Sequence, residues 1–254
     1  MEAAKKLLRS PITTIVLFVL AAALLLISTI GGARAALTYY SDNYTSRVQM
    51  YDIGVTLVEN GQDICWRNYD SKADGTWDIQ ESNLLQGMLD TQSLQLGRAY
   101  TEALAVKNSG TIDEFVRVTI YRYWLDGEDR KILDRDPELI QLHYINLGTD
   151  WIIDTEATTP ERTVLYYNKV LPSGATTPPL SDTLSISAAV AGMVTQTTRV
   201  ENGYTYITTS YDYDGARYQI EAVADAVQTH NAEDAIWSAW GRRANYSGGL
   251  LSLR

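Results

Sequence analysis

The side chains able to do chemistry are few and scattered. The chain of 254 residues has two histidines, His143 and His230, and one cysteine, Cys65. A zinc protease in its simplest form needs two histidines one helical turn apart with a glutamate between them, and no His-Glu-x-x-His occurs. A single cysteine excludes an intramolecular disulfide and any cysteine-cluster zinc site. Cys65 sits in Asp63-Ile64-Cys65-Trp66 and reads as a small buried side chain. The Gly-x-Ser-x-Gly nucleophile elbow and the glycine-rich phosphate loop are both absent. Carboxylates do cluster, at Asp126, Glu128 and Asp129, at Asp134 and Asp136, and at Asp212 and Asp214. Such groups serve acid–base work or calcium binding. In turn-like stretches they are better read as solvated Asp side chains bonded to nearby backbone amides. Tyr204, Tyr206, Tyr211 and Tyr213 form a candidate aromatic face for a glycan, although cross-strand packing accounts for them equally well. No catalytic residue, metal ligand or cofactor is nominated.

The elements that must position these residues are strands. The chain is 45% hydrophobic and 20% charged, with 17 Tyr against 2 Phe, a balance that favours β-structure. Ile53, Val55 and Leu57 alternate up to the turn signal Asn60-Gly61, and residues 61–80 read as an irregular connection. Leu104 and Val106, then Val116, Val118 and Ile120, flank Asn108-Ser109-Gly110, which predicts a hairpin. Residues 151–153 and 163–170 predict another. Residues 204–213 and 217–227 flank Asp214-Gly215 and predict a third. Asn231 caps a short helix with Glu233 and Asp234 in its first turn, Ile236 and Trp240 on one face and Gly241 after its end. The expectation is an all-β domain over residues 36–241, a jelly-roll or β-sandwich with one short C-terminal helix, followed by a frayed tail over 242–254.

Charge is unevenly placed. Residues 1–35 carry a net +3 and the rest −13; so acidic a body repels phosphate backbones, which excludes nucleic acid as a partner. Lys5, Lys6 and Arg9 precede an uncharged apolar stretch over residues 11–33, and Ala33-Arg34-Ala35 completes a secretory signal helix cut between Ala35 and Ala36. Residues 12–30 are also near the roughly 20 residues that span a bilayer. Uncleaved, residues 11–33 would be an anchor and the chain's one contact with a membrane. Either way the acidic body is translocated, to the cell surface or beyond.

Several stretches resemble a known family. Gly31-Gly32 followed by Leu37-Thr38-Tyr39-Tyr40-Ser41-Asp42 is similar to the export signal processed by SipW-type signal peptidases. Val106-Lys107-Asn108-Ser109-Gly110-Thr111, Phe115-Val116-Arg117-Val118, residues 166–174 with Thr176-Thr177-Pro178-Pro179-Leu180, and residues 221–228 running into Trp240-Gly241 resemble the TasA/camelysin-like family of Gram-positive bacteria. Leu96 stands where that family has proline before Gly97. The resemblance implies a jelly-roll domain secreted into the cell envelope or biofilm matrix, a signal peptidase as partner during export, and assembly with itself or a related matrix protein into fibres. The donated strand would be residues 36–48, carried by Leu37, Tyr39, Tyr40, Tyr44 and Val48. The camelysin branch carries a protease label for which this chain has no ligand motif, so a structural, non-enzymatic role is expected. A membrane-anchored surface adhesin and a secreted metalloprotease are the alternatives.

Overall fold

The computed structural model describes residue 12 and residues 15–24, 52–69, 77–80, 84–85 and 93–254. The chain divides into two units, Met1–Gln49 and Met50–Arg254. In the first, residues 15–24 are helical with exposed apolar side chains such as Phe18. No described helix is long and apolar enough to cross a membrane. Ala35, Ala36 and the donor residues Leu37, Tyr39, Tyr40, Tyr44 and Val48 lie outside the described residues.

The second unit is predominantly β. Its strands are β1 (Gly54–Glu59), β2 (Gln62–Tyr69), β3 (Trp77–Gln80), β4 (Tyr100–Thr101), β5 (Leu104–Asn108), β6 (Glu114–Leu125), β7 (Lys131–Ile132) and β8 (Ile140–Tyr144). They continue as β9 (Trp151–Ile153), β10 (Arg162–Tyr167), β11 (Ser181–Ile186), β12 (Val194–Glu201), β13 (Tyr204–Tyr211) and β14 (Arg217–Gln228). Helix α1 (Ala232–Trp240) and strands β15 (Ala244–Ser247) and β16 (Leu250–Leu253) complete the chain. A first sheet has the order β3-β2-β1-β5, a second β14-β6-β10-β9 with β7 also on β6, and a third β4-β11-β8. All the pairings between these strands are antiparallel.

The alternation read from sequence sets which faces are buried. Val116, Val118 and Ile120 of β6 and Leu165 of β10 point into a core shared with Leu57 of β1, Leu104 and Val106 of β5, and Leu184 and Ile186 of β11. Phe115, Val164, Tyr166 and Val227 point the other way, into a smaller core covered by Ile236 of α1, Ala244 and Leu251. The second sheet is thus a middle layer. Burying one Leu- or Ile-sized side chain stabilises by about 1.5–3 kcal/mol before entropy is subtracted.

Four departures from the sequence reading have physical causes. Residues 62–69 and 77–80 are strands, not an irregular connection. Asn60 and Gly61 both have positive φ (50° and 82°), the two-residue turn that folds β2 back on β1 and aligns Leu57 with Cys65. Asn108-Ser109-Gly110 is a crossover rather than a hairpin, since β5 pairs with β1 and β6 with β10 and β14. Buried Asn108 fixes it: Nδ2 donates to the carbonyls of Ile112 and Leu171, and Oδ1 accepts from the Gly110 amide. A Cβ on Gly110 would lie 2.5 Å from the Asp52 carbonyl oxygen and 2.6 Å from the Gly54 nitrogen, so only glycine fits. Asp214-Gly215 makes a turn, but β13 pairs with β12 and β14 with β6. The turn's neighbour Tyr213 is held on the core, edge-on to Trp124 at 4.8 Å, with its hydroxyl accepting from the Asp136 amide. Finally, residues 242–254 are not frayed, because Gly248 and Gly249 close a β15–β16 hairpin whose Leu251 is buried.

Helix α1 forms where its signals place it. Gly241 ends it with φ 65° and donates its amide to the Trp237 carbonyl. Asn231 occupies the N-cap position in the left-handed region and makes no side-chain cap bond. Cys65 is half-buried against the main core, and burial raises its thiol pKa, which suppresses the reactive thiolate.

Candidate functional site

Strands β12 and β13 form a two-stranded arm that no other described strand joins. Asn202 and Gly203, with φ 50° and 79°, make its tip. All sixteen residues of the two strands are exposed. Thr, Val, Ile and Tyr dominate, which explains the extended backbone, yet an isolated hairpin is only marginally stable in water. Its base is pinned where the Asp212 amide donates to the Met193 carbonyl and the Thr195 hydroxyl to Asp212 Oδ1.

Register divides the arm's side chains. Val194 faces Tyr211, Gln196 faces Thr209, Thr198 faces Ile207 and Val200 faces Thr205, so these eight share one side. Arg199 opposite Tyr206 and Glu201 opposite Tyr204 occupy the other. There Arg199 lies 5.7 Å from the Tyr206 ring centroid and pairs with Glu201 at 2.6 Å. Tyr204, Tyr206, Tyr211 and Tyr213 are therefore not one aromatic face. Tyr204 and Tyr206 share a side, Tyr211 lies on the reverse, and Tyr213 is built into the core. Strand parity separates them, since side chains alternate across the pleat.

Two features distinguish the arm's surface. The uncharged side leaves Val200, Ile207 and Tyr211 each more than 60% exposed, and the arm's two charges, Arg199 and Glu201, cancel on a chain of net −10. A second unsatisfied edge accompanies it. All twelve residues of β14 pair with β6, and no described strand pairs with the opposite edge. Open edges of this kind present free amides and carbonyls to another chain.

Elsewhere, the charged groups singled out from sequence serve the fold. Asp126 Oδ1 accepts from the Glu128 and Arg130 amides, and with the Arg130 guanidinium these bonds hold its pKa below the usual range. Asp136 caps the 3-10 turn at Pro137–Leu139. His143 Nδ1 lies 2.7 Å from Asp182 Oδ1, and His230 is exposed. Among the described residues no three His, Cys, Asp or Glu side chains gather to hold a metal ion.

The carboxyls with perturbed chemistry are ones sequence reading passed over. Glu59, Glu102 and Glu114 are all buried, and no described cation pairs with them. Glu102 is pushed up to about 8 by burial and then by the neighbouring Glu59 carboxyl. Neither Glu102 oxygen meets a hydrogen-bond partner among the described residues, so nothing offsets the burial that favours its neutral form. Glu59 also accepts the Leu85 amide. Glu114 is pushed up to about 7 by burial, partly offset by the Gly54 amide, which its Oε1 accepts at 3.0 Å. Each lies where a strand joins the core, and a glutamate at a strand end gives no sequence signal of burial. Compared with family models, curated proteins and solved structures, the chain matches none.

Proposed function

We propose that this chain is an exported structural subunit of the cell envelope or biofilm matrix, non-enzymatic, that assembles with copies of itself or a related matrix protein through open strand edges. The observation that carries the reading is the arm, whose sixteen strand residues are all exposed, with Val194, Val200, Ile207 and Tyr211 on one side and no net charge. The sequence order of basic, apolar and small residues supports export, with a signal peptidase cutting after Ala35. The resemblance to TasA/camelysin-like proteins supports a jelly-roll arrangement of the sheets and residues 36–48 as a donated strand. Pairing of that strand with β14 would satisfy the row of backbone groups its free edge presents.

The test takes the protein secreted by its native cells, determines its first residue by mass spectrometry and images the same fraction by negative stain. A start at Ala36 together with fibres is the expected result. An intact Met1 in the membrane fraction without fibres overturns it in favour of an anchored adhesin.

A further inference from the structure

Strands β12 and β13 each turn an outer edge to solvent, and the two edges differ. β12 carries Arg199 and Glu201, and charges on an edge strand discourage an incoming strand. β13 reads Tyr-Thr-Tyr-Ile-Thr-Thr-Ser-Tyr, eight residues with no charge, proline or glycine. Such a segment has high β-propensity and nothing that blocks a further strand. Of the two edges, β13 is the unguarded one.

Register decides which of its backbone groups are free. Asn202 and Gly203 both have positive φ and form a two-residue turn between Glu201 and Tyr204. The residues flanking such a turn are a hydrogen-bonded pair. Bonding then alternates along the strand, so Tyr204, Tyr206, Thr208 and Ser210 bond to β12. Thr205, Ile207, Thr209 and Tyr211 turn their amides and carbonyls outward. All four lie on the uncharged side of the arm, with Val194 and Val200.

Symmetry and charge select the occupant. An antiparallel strand bonds to this edge only by setting outward-turned residues opposite outward-turned ones. When that strand is β13 of a second copy, the uncharged sides of both arms fall on one face. Val194, Val200, Ile207 and Tyr211 of each copy share that face, and Arg199 and Glu201 stay on the reverse. A chain of net −10 repels its own copies, but on the arm the two charges cancel. A lone hairpin is also marginal in water, and added strands stabilise it. We infer that β13 pairs antiparallel with β13 of a second copy about a two-fold axis, giving a four-stranded sheet in the order β12-β13-β13-β12. The choice of a second copy as partner rests on the assembly reading, to which this adds the edge and the symmetry.

Sedimentation velocity of the full chain in mild nonionic detergent tests it. There the cut after Ala35 has not been made, so association does not depend on a donated 36–48 segment. The parent should dimerise with a dissociation constant of roughly 10–100 µM. Thr209→Pro removes an amide that only an incoming strand uses and keeps every β12–β13 bond; it should weaken the dimer at least tenfold. Thr198→Pro does the same to the outer edge of β12 and should change dimerisation less than twofold. A parent still monomeric at about 1 mM overturns the inference, as does growth past the dimer. So does a folded Thr209→Pro that dimerises like the parent, or a Thr198→Pro that weakens the dimer as much. Should Thr209→Pro disturb the arm, T205K/T209K gives β13 the charges it lacks, and unchanged dimerisation overturns the inference instead. Fibres from the secreted protein with a monomeric full chain sink the arm pairing and leave the assembly reading standing. Dimers without fibres support the pairing and overturn that reading.

Discussion

Replacing Glu102 with glutamine should make the protein more stable in mild alkali and leave it little changed in acid. An ordinary glutamate titrates near 4.5, whereas buried Glu102 is pushed up to about 8. Below pH 4.5 it is protonated folded and unfolded alike, and its contribution to stability is fully present. Between 4.5 and 8 the unfolded chain gives up the proton and the folded chain keeps it, so stability falls as pH rises. The slope is at most about 1.4 kcal/mol per pH unit. Across the window the loss has an upper bound of roughly 5 kcal/mol, and side-chain relaxation and water access around the pair reduce it to about 2–4 kcal/mol.

Glutamine keeps the shape and stays neutral at every pH, so it removes the buried titration without adding a charge beside Glu59. Urea unfolding followed by tryptophan fluorescence from pH 4 to 9 should show E102Q overtaking the parent above about pH 6 and leading by about 2–4 kcal/mol at pH 8.5. Glu114, pushed up to about 7, remains in both proteins, so the variant should still lose stability as pH rises but level off near 7. Parallel curves for the two proteins, or a less stable variant at pH 8.5, would refute the reasoning.

Further outcomes are expected. Gly110→Ala should cost roughly 2–3 kcal/mol by forcing Cβ against the Asp52 and Gly54 backbone; a melting temperature equal to the parent's would count against the crossover geometry. Ile207→Lys on the arm should change stability by no more than about 0.5 kcal/mol while abolishing sedimentable assemblies, and unchanged assembly would remove the arm from the interface. Truncation after Gly241 should lower stability by at least about 2 kcal/mol, since it strips Leu251 and Ala244 from the second core; an unaltered urea midpoint would restore the frayed tail.

Most strands were legible because apolar residues recur at every second position, as Val116, Val118 and Ile120 do in β6. Pairing was not. Asn-Gly and Asp-Gly signals specify a local reversal, not which strand lies alongside. Asn60-Gly61 and Asn202-Gly203 close hairpins, whereas Asp214-Gly215 leads out of the arm and into another sheet because Tyr213 is fastened to Trp124 and Asp136. β12 escaped notice because none of its faces is buried and no apolar rhythm marks it. The tyrosines of β13 were legible as a cluster, but parity sent Tyr211 to the opposite side from Tyr204 and Tyr206. The Glu59–Glu102 pair was invisible because only the folded topology brings β1 beside the chain before β5.

The pairing of β6 with β14 has a kinetic consequence. Arg117 and its ion-pair partner Asp225 are 108 residues apart in sequence, and the second sheet cannot close until nearly the whole chain is present. Contacts of such range require a long loop to be ordered before they stabilise anything, which slows folding. A chain threaded through a membrane N-terminus first would therefore remain extensible behind the pore, with its central strand waiting for a partner still to emerge. Late closure keeps such a chain pliable while it is in transit and delays rigidity until the far side is reached.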